Sequence, residues 1–191
     1  MLVHETPLEG AALLELEPAE DGRGFFARSF CRAEFEAAGL EPAIEQCNLS
    51  FNHRKGTLRG FHYQLAPNAE AKTIRCTRGA VYDVIVDLRP DSPTYLAHFG
   101  AALTAENRLA MHVPRNFGHA YLTLTDDAET LYQVSAAYTA GAERGLRWDD
   151  PVLGVQWPAP VRLVSPKDAG WPLLAPGARL PHAADVPLSP R

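Results

Sequence analysis

The run Ala80 to Leu88, AVYDVIVDL, most narrows what this chain can fold into. Tyr82, Val84, Val86 and Leu88 alternate with Val81, Asp83, Ile85 and Asp87, which is the period of an extended strand and not of a helix. One face of the strand is apolar, and the other carries two acids. Carboxylates aimed into a dry core are costly, so the pattern predicts a sandwich or barrel whose interior holds a polar cavity. Further strands are predicted over Ala11 to Glu17, Ala43 to Phe51, Lys72 to Arg78, His98 to Leu103, Ala110 to Val113, Ala120 to Thr125 and Glu129 to Ala137, separated by Gly, Pro and Asp. Short strands at this spacing predict an all-β, closed or double-sheet antiparallel architecture such as a jelly roll. A short helix is predicted from Arg32 to Ala38, with Ser29 or Cys31 near its start, Phe35 and Ala38 on one side, and Gly39 as its stop.

With 191 residues, 46% of them hydrophobic, the chain suits one domain with a substantial core. That domain is expected over residues 1–170, followed by a Pro/Ala-rich tail over 171–191 that is extended or loosely attached. A net charge of −5 provides no global attraction to nucleic acid or to an anionic membrane, so neither is an expected partner. No apolar run approaches the roughly 20 residues of a membrane-spanning helix, and MLVHETPLEG has neither a basic region nor a hydrophobic signal core. A soluble, cytoplasmic protein is expected. Cys31, Cys47 and Cys76 form no CxxC pair, which argues against a disulfide framework or thiolate zinc site and for reduced thiols.

The segment Gly56 to Gln64, GTLRGFHYQ, is too rich in Gly and β-formers to be a stable helix, and it sets Arg59 and His62 three positions apart. A fixed cation beside a potential general base suits proton abstraction from an anionic substrate. Imidazole titrates near neutrality, which makes His62 the best base in the chain.

Five blocks extend this reading: DGRGFFARSF (Asp21 to Phe30), QCNLSFNHRKGTLRGFHYQ (Gln46 to Gln64), AKTIRCTRGAVYDVIVDLRPDSPTY (Ala71 to Tyr95), VPRNFGHAYLTL (Val113 to Leu124) and AERGLRWDDPVLGVQWP (Ala142 to Pro158). Together, and in this order, they resemble the dTDP-4-dehydrorhamnose 3,5-epimerase family over roughly residues 5–170. The resemblance implies a cupin-type double-stranded β-helix, or jelly roll, with a few short helices. It also implies a homodimer that exchanges N-terminal strands and epimerises a dTDP-linked 4-keto sugar without a cofactor or metal.

Epimerisation beside a ketone removes a carbon-bound proton, passes through an enolate and returns a proton to the opposite face. By resemblance His62 is the base and Asp168, in SPKD, its carboxylate partner; the residues themselves leave Asp83 as a rival for that role. Tyr132, in ETLYQVS, corresponds to the tyrosine acting from the other face, and Lys72 to the lysine near the keto oxygen. Arg59 and His119 correspond to residues near the diphosphate, where a guanidinium fork suits the charge. Arg23 corresponds to a nucleotide contact from the exchanged segment, Gln46 and Asn48 to contacts with base or sugar, and Glu143 and Lys167 to further contact positions. Tyr138 and Phe25 are aromatic candidates for packing against the pyrimidine.

Two departures bear on nucleotide preference: Arg28 stands where the family commonly has an acid, and Cys47 replaces the Asp of its QDN run. The motifs do not separate inversion at one carbon from inversion at both. Among other classes, a metal-dependent cupin would draw on His62, His112 and His119, but the chain lacks the HxH pair followed by Glu, and Lys72 opposes a cation. A non-catalytic sugar-nucleotide-binding protein would need Arg59 and His119 but not both His62 and Tyr132.

Overall fold

Ala80–Asp87 lies inside one of two facing sheets in a computed structural model that describes residues 1–175 and 177–180. In chain order the elements are β1 (Leu2–Glu5), β2 (Ala12–Glu15), β3 (Ala19–Asp21), β4 (Gly24–Phe26), α1 (Arg32–Ala37), β5 (Gln46–Asn52), β6 (Thr57–Gln64) and β7 (Lys72–Arg78). There follow β8 (Ala80–Asp87), β9 (His98–Thr104), β10 (Ala110–Val113), β11 (Phe117–Thr123), β12 (Ala128–Val134), β13 (Glu143–Gly145), β14 (Leu163–Val164) and α2 (Pro166–Ala169). One sheet has the order β1-β2-β10-β7-β12-β5, and the other β13-β6-β11-β8-β9 with β14 parallel to β6. The remaining pairs are antiparallel, and β3–β4 forms a separate hairpin. This is the expected all-β jelly roll with two short helices.

The strand β8 is more deeply enclosed than its alternation suggests. Val81 and Ile85 meet Ile74, Leu103, Met111 and Phe117 between the sheets, while Val84 and Val86 meet Phe61, Leu146 and Leu153 on the outer side. Each fully buried side chain of this kind contributes roughly 1.5–3 kcal/mol. Both acids on β8 are paired. Asp87 accepts from Arg89 at 2.8 Å, Ser92 at 2.6 Å and Thr94 at 2.8 Å. Burial alone would raise its pKa, but these bonds hold it below the usual carboxylate value. Asp83 meets His119 of the neighbouring strand β11 on the same face of the sheet.

The outer side of β8 is covered by the chain that follows β13. Leu153, Val155, Trp157, Leu174 and Leu180 pack there, the Leu174 N–H donates to Asp150 at 2.6 Å, and the Leu180 N–H donates to the Tyr95 hydroxyl at 2.8 Å. Residues 171–175 and 177–180 of the expected tail thus pack against the sheet; residues 176 and 181–191 lie outside the described residues.

Helix α1 starts after Cys31, whose side chain makes no capping bond, and the chain leaves it through Gly39 at φ +70°. Phe35 is buried as expected, but Ala38 is exposed; Leu40, beyond the helix, joins Phe35, Ala12 and Leu14 instead. The strands β1, β3, β4, β13 and β14 and helix α2 were not anticipated, because pieces of two to four residues carry too little periodicity to read. The Gly-rich segment around His62 is the eight-residue strand β6.

Candidate active site

The position of His62 follows from a glycine two residues before it. Gly60 has φ +118°, and a Cβ there would lie 2.5 Å from the His119 carbonyl oxygen, so only glycine lets β6 pass this close to β11. The register of the two strands shifts at this point, His62 stands opposite His119, and the Gly60 N–H turns toward α2. That helix presents Asp168: Pro166 opens it, and the Ser165 hydroxyl accepts from the Asp168 N–H at 3.0 Å.

Asp168 is buried, with Oδ1 2.6 Å from His62 Nε2 and Oδ2 accepting the Gly60 N–H at 3.3 Å. Burial pushes its pKa up, but the bonds from His62 and Gly60 outweigh that and hold it below the usual value of 3.8. An ionised carboxylate only accepts hydrogen bonds, so Nε2 of His62 carries the hydrogen and Nδ1 keeps a lone pair. The geometry thereby separates the two acids left open by the sequence. Asp168 serves His62, and Asp83 serves His119 with Oδ2 2.8 Å from Nε2.

The other sheet contributes through alternation. On β5, Gln46, Asn48 and Ser50 face the cavity; Tyr132 on β12 pairs in register with Asn48 and with Ile74 of β7, and Lys72 lies one inward position further along β7. His62, Lys72 and Tyr132 line two adjoining cavities, of about 410 Å³ and about 190 Å³. Gln46, Asn48, Tyr138 and Glu143 are among the other residues lining the larger, and Ser50, Arg59, His119 and Tyr121 complete the smaller. Burial raises the Tyr132 phenol above its ordinary pKa of 10, against the smaller opposing pull of Arg59, so it is protonated at neutral pH.

The cations differ in how they are compensated. Lys72 Nζ lies 3.0 Å from Glu70 Oε1 and donates to the His62 carbonyl at 3.2 Å. Lys167 meets Glu143 at 2.5 Å, and Glu143 also accepts from the Tyr138 hydroxyl at 2.9 Å. Burial would raise the Glu143 pKa, but the bonds from Lys167 and Tyr138 bring it below the usual value. The Tyr138 N–H donates to Gln46 at 2.7 Å, tying this rim to β5. Arg59, by contrast, donates Nε to the neutral Asn52 side chain at 2.7 Å, with no carboxylate in ion-pair reach among the described residues. Its charge is available to an anion.

Eleven of the thirteen expected site residues thus line the two cavities or the adjoining recess that contains Arg59, His62, Lys167 and Asp168. Arg23 and the aromatic candidate Phe25 do not join them. Arg23 sits on the β3–β4 hairpin beside Phe25 and Phe26, with its side chain 91% exposed and paired to Asp21 at 2.5 Å. Cys47 faces away from the cavity, because it falls between Gln46 and Asn48 on a strand. Arg28 pairs with Glu34 at 2.8 Å. His112 is buried against Phe35 and lies 3.0 Å from the Thr73 hydroxyl; burial lowers its pKa to about 4. It does not converge with His62 and His119, and no group of three or more His, Cys, Asp or Glu is set to hold a metal ion among the described residues. Glu70 and Gln64 were not foreseen as cavity residues, although Glu70 stands two positions from Lys72, the spacing of one strand face.

Residues 5–176 match the family signature of dTDP-4-dehydrorhamnose 3,5-epimerase. A curated protein of that name from Sinorhizobium fredii is 43% identical over 155 residues, covering 81% of this chain and 80% of the relative. The crystal structure of dTDP-4-dehydrorhamnose 3,5-epimerase from Bacillus anthracis with TDP and PPi bound superposes with a TM-score of 0.87 at 39% identity, covering 91% of this chain and 99% of that one. A 3'-monoepimerase from Streptomyces bikiniensis in complex with dTDP-quinovose gives a TM-score of 0.83 at 35% identity, covering 89% and 86%.

Proposed function

This chain belongs to the dTDP-4-dehydrorhamnose 3,5-epimerase family, and we propose that it inverts carbon centres of a dTDP-linked 4-keto-6-deoxyhexose by shuttling protons between His62 and Tyr132. It is an isomerase of deoxysugar biosynthesis with a cupin-type fold. One observation carries the assignment of roles: a histidine wired to an ionised carboxylate and a protonated tyrosine enter the same cavity from different sheets.

The Nδ1 lone pair of His62 takes the proton from the carbon beside the ketone. The C–H electron pair moves into the ring and onto the keto oxygen, and the imidazolium is stabilised through Nε2–H by Asp168. Lys72 donates to the enolate oxygen. Tyr132 then delivers its proton to the opposite face of the same carbon, the C–H bond reforms inverted, and the ketone returns. The phenolate recovers a proton from water while His62 releases its own. Arg59, whose only side-chain hydrogen-bond partner among the described residues is a neutral amide, and His119 receive the diphosphate, while Gln46, Asn48, Tyr138, Glu143 and Lys167 contact base or sugar.

The same reading makes the enzyme a homodimer with exchanged N-terminal segments. The hairpin with Arg23, Phe25 and Phe26 at its surface supports it, since Phe26 is 78% exposed on this chain and Phe25 stays 45% exposed although Arg108 lies over its ring. Light scattering at twice the chain mass is expected, and a monomer at working concentration overturns it. A cytoplasmic location belongs to this reading too, because a nucleotide-linked substrate is a charged, water-borne one. Among the described residues, no helix is long and apolar enough to cross a membrane.

Incubation with a dTDP-4-keto-6-deoxyhexose in deuterated water tests the chemistry. Deuterium is expected at C3, at C5 or at both, and incorporation at neither carbon overturns the proposal for that substrate. The similarity to a monoepimerase gives the second reading its weight; deuterium confined to C3 with a single inversion establishes it.

A further inference from the structure

The Lys72 ammonium is ion-paired with Glu70, whose Oε1 lies 3.0 Å from Nζ, and donates to the carbonyl of His62 at 3.2 Å. An ammonium has three N–H donors, so donor capacity remains for the cavity that Lys72 shares with His62 and Tyr132.

Glu70 is itself held. Its side chain is 7% exposed, and its second oxygen accepts from the Gln64 amide. Gln64 is buried and reaches the carbonyls of Asn68 at 3.1 Å and Ala137 at 3.2 Å, and its own oxygen accepts the Thr139 N–H at 2.6 Å. The carboxylate therefore rests on neutral groups contributed by β6, the turn before β7 and the segment carrying Tyr138. A lysine ammonium on a flexible four-carbon stem has no intrinsic direction, and a donor assists an enolate most when it is aimed beforehand.

We propose that Glu70 is a positioning residue for Lys72, its paired carboxylate holding the ammonium so that a free N–H is aimed at the oxygen that becomes the enolate. The inference rests on the reading that Lys72 serves that oxygen. A carboxylate that only neutralised a buried charge would have no use for the Gln64 tether.

The test is a double-mutant cycle read in kcat, KM and dTDP affinity. Glu70→Gln keeps the shape but offers one accepting oxygen where two are used, so either the Lys72 or the Gln64 bond is lost. Lys72→Met is expected to lower kcat about 100-fold, as loss of a transition-state donor does. Glu70→Gln is expected to lower kcat about 10-fold with KM and dTDP affinity within about threefold, and the double variant to match Lys72→Met within about twofold. Wild-type kcat in Glu70→Gln beside an impaired Lys72→Met overturns the role of Glu70 alone. Multiplying losses in the double variant, or a parallel loss of dTDP binding in Glu70→Gln, also overturns it. Wild-type kcat in Lys72→Met removes the reading beneath it, and this inference with it.

Discussion

On the β6 wall of the cavity, His62 is fixed by a directed bond of 2.6 Å to a carboxylate that is itself held by a backbone N–H and a capped helix, whereas on the β12 wall Tyr132 is governed by burial and by the charges around it. The difference follows from what each group must do. A base that gains charge during turnover needs a defined tautomer and an anion waiting for the imidazolium. An acid that starts neutral needs its proton kept at working pH, and desolvation achieves that without a partner.

The largest effect is expected from removing the wired group. His62→Ala should reduce carbon-bound deuterium exchange by about 10³-fold or more, in the range for loss of a general base, measured by NMR wash-in. Retained exchange would move the base elsewhere and dissolve the contrast between the walls. Tyr132→Phe should cut net inversion about 100-fold while exchange on the His62 side falls less than about tenfold. Equal losses in both readouts would mean that the walls do not act separately.

A smaller loss is expected from Asp168→Asn, which keeps the shape but not the anion: about 30-fold in kcat, roughly 2 kcal/mol, with KM little changed. A kcat unchanged by that substitution would show that the wiring of His62 has no catalytic consequence. The smallest effect concerns stability. The folded pKa of Asp168 lies below its ordinary 3.8, so its contribution is present above that value and is lost as the pH falls through the folded value. Urea unfolding of Asp168→Asn should therefore show a shallower acid limb than wild type, and identical limbs would contradict the assigned direction.

The strands of the two sheets were legible where apolar alternation is marked, as on β7, β8 and β12, and His62, Tyr132 and Asp168 through a resemblance spread over separate blocks. The cavity strand β5 reads in reverse. Its inward positions Gln46, Asn48 and Ser50 are polar, and its outward positions include Leu49, 67% exposed, and Phe51, 39% exposed. A hydrophobicity rule assigns such a strand the wrong way round, since it assumes that the interior is dry. From the residues alone, without the resemblance, the pairing of Asp168 with His62 over Asp83 was unreadable for another reason: it depends on where a four-residue helix lands 106 positions along the chain. Glu70 escaped because its partners come from segments whose proximity only the fold creates.

The alternation on β5 also dictates which genetic changes this protein can survive. A substitution at Cys47, Leu49 or Phe51 touches one outward side chain and leaves the cavity contacts of its neighbours in place. Deleting one codon between Gln46 and Asn52 shifts the strand's register from that point on and turns thiol and hydrocarbon toward the sugar, while amide and hydroxyl groups turn away.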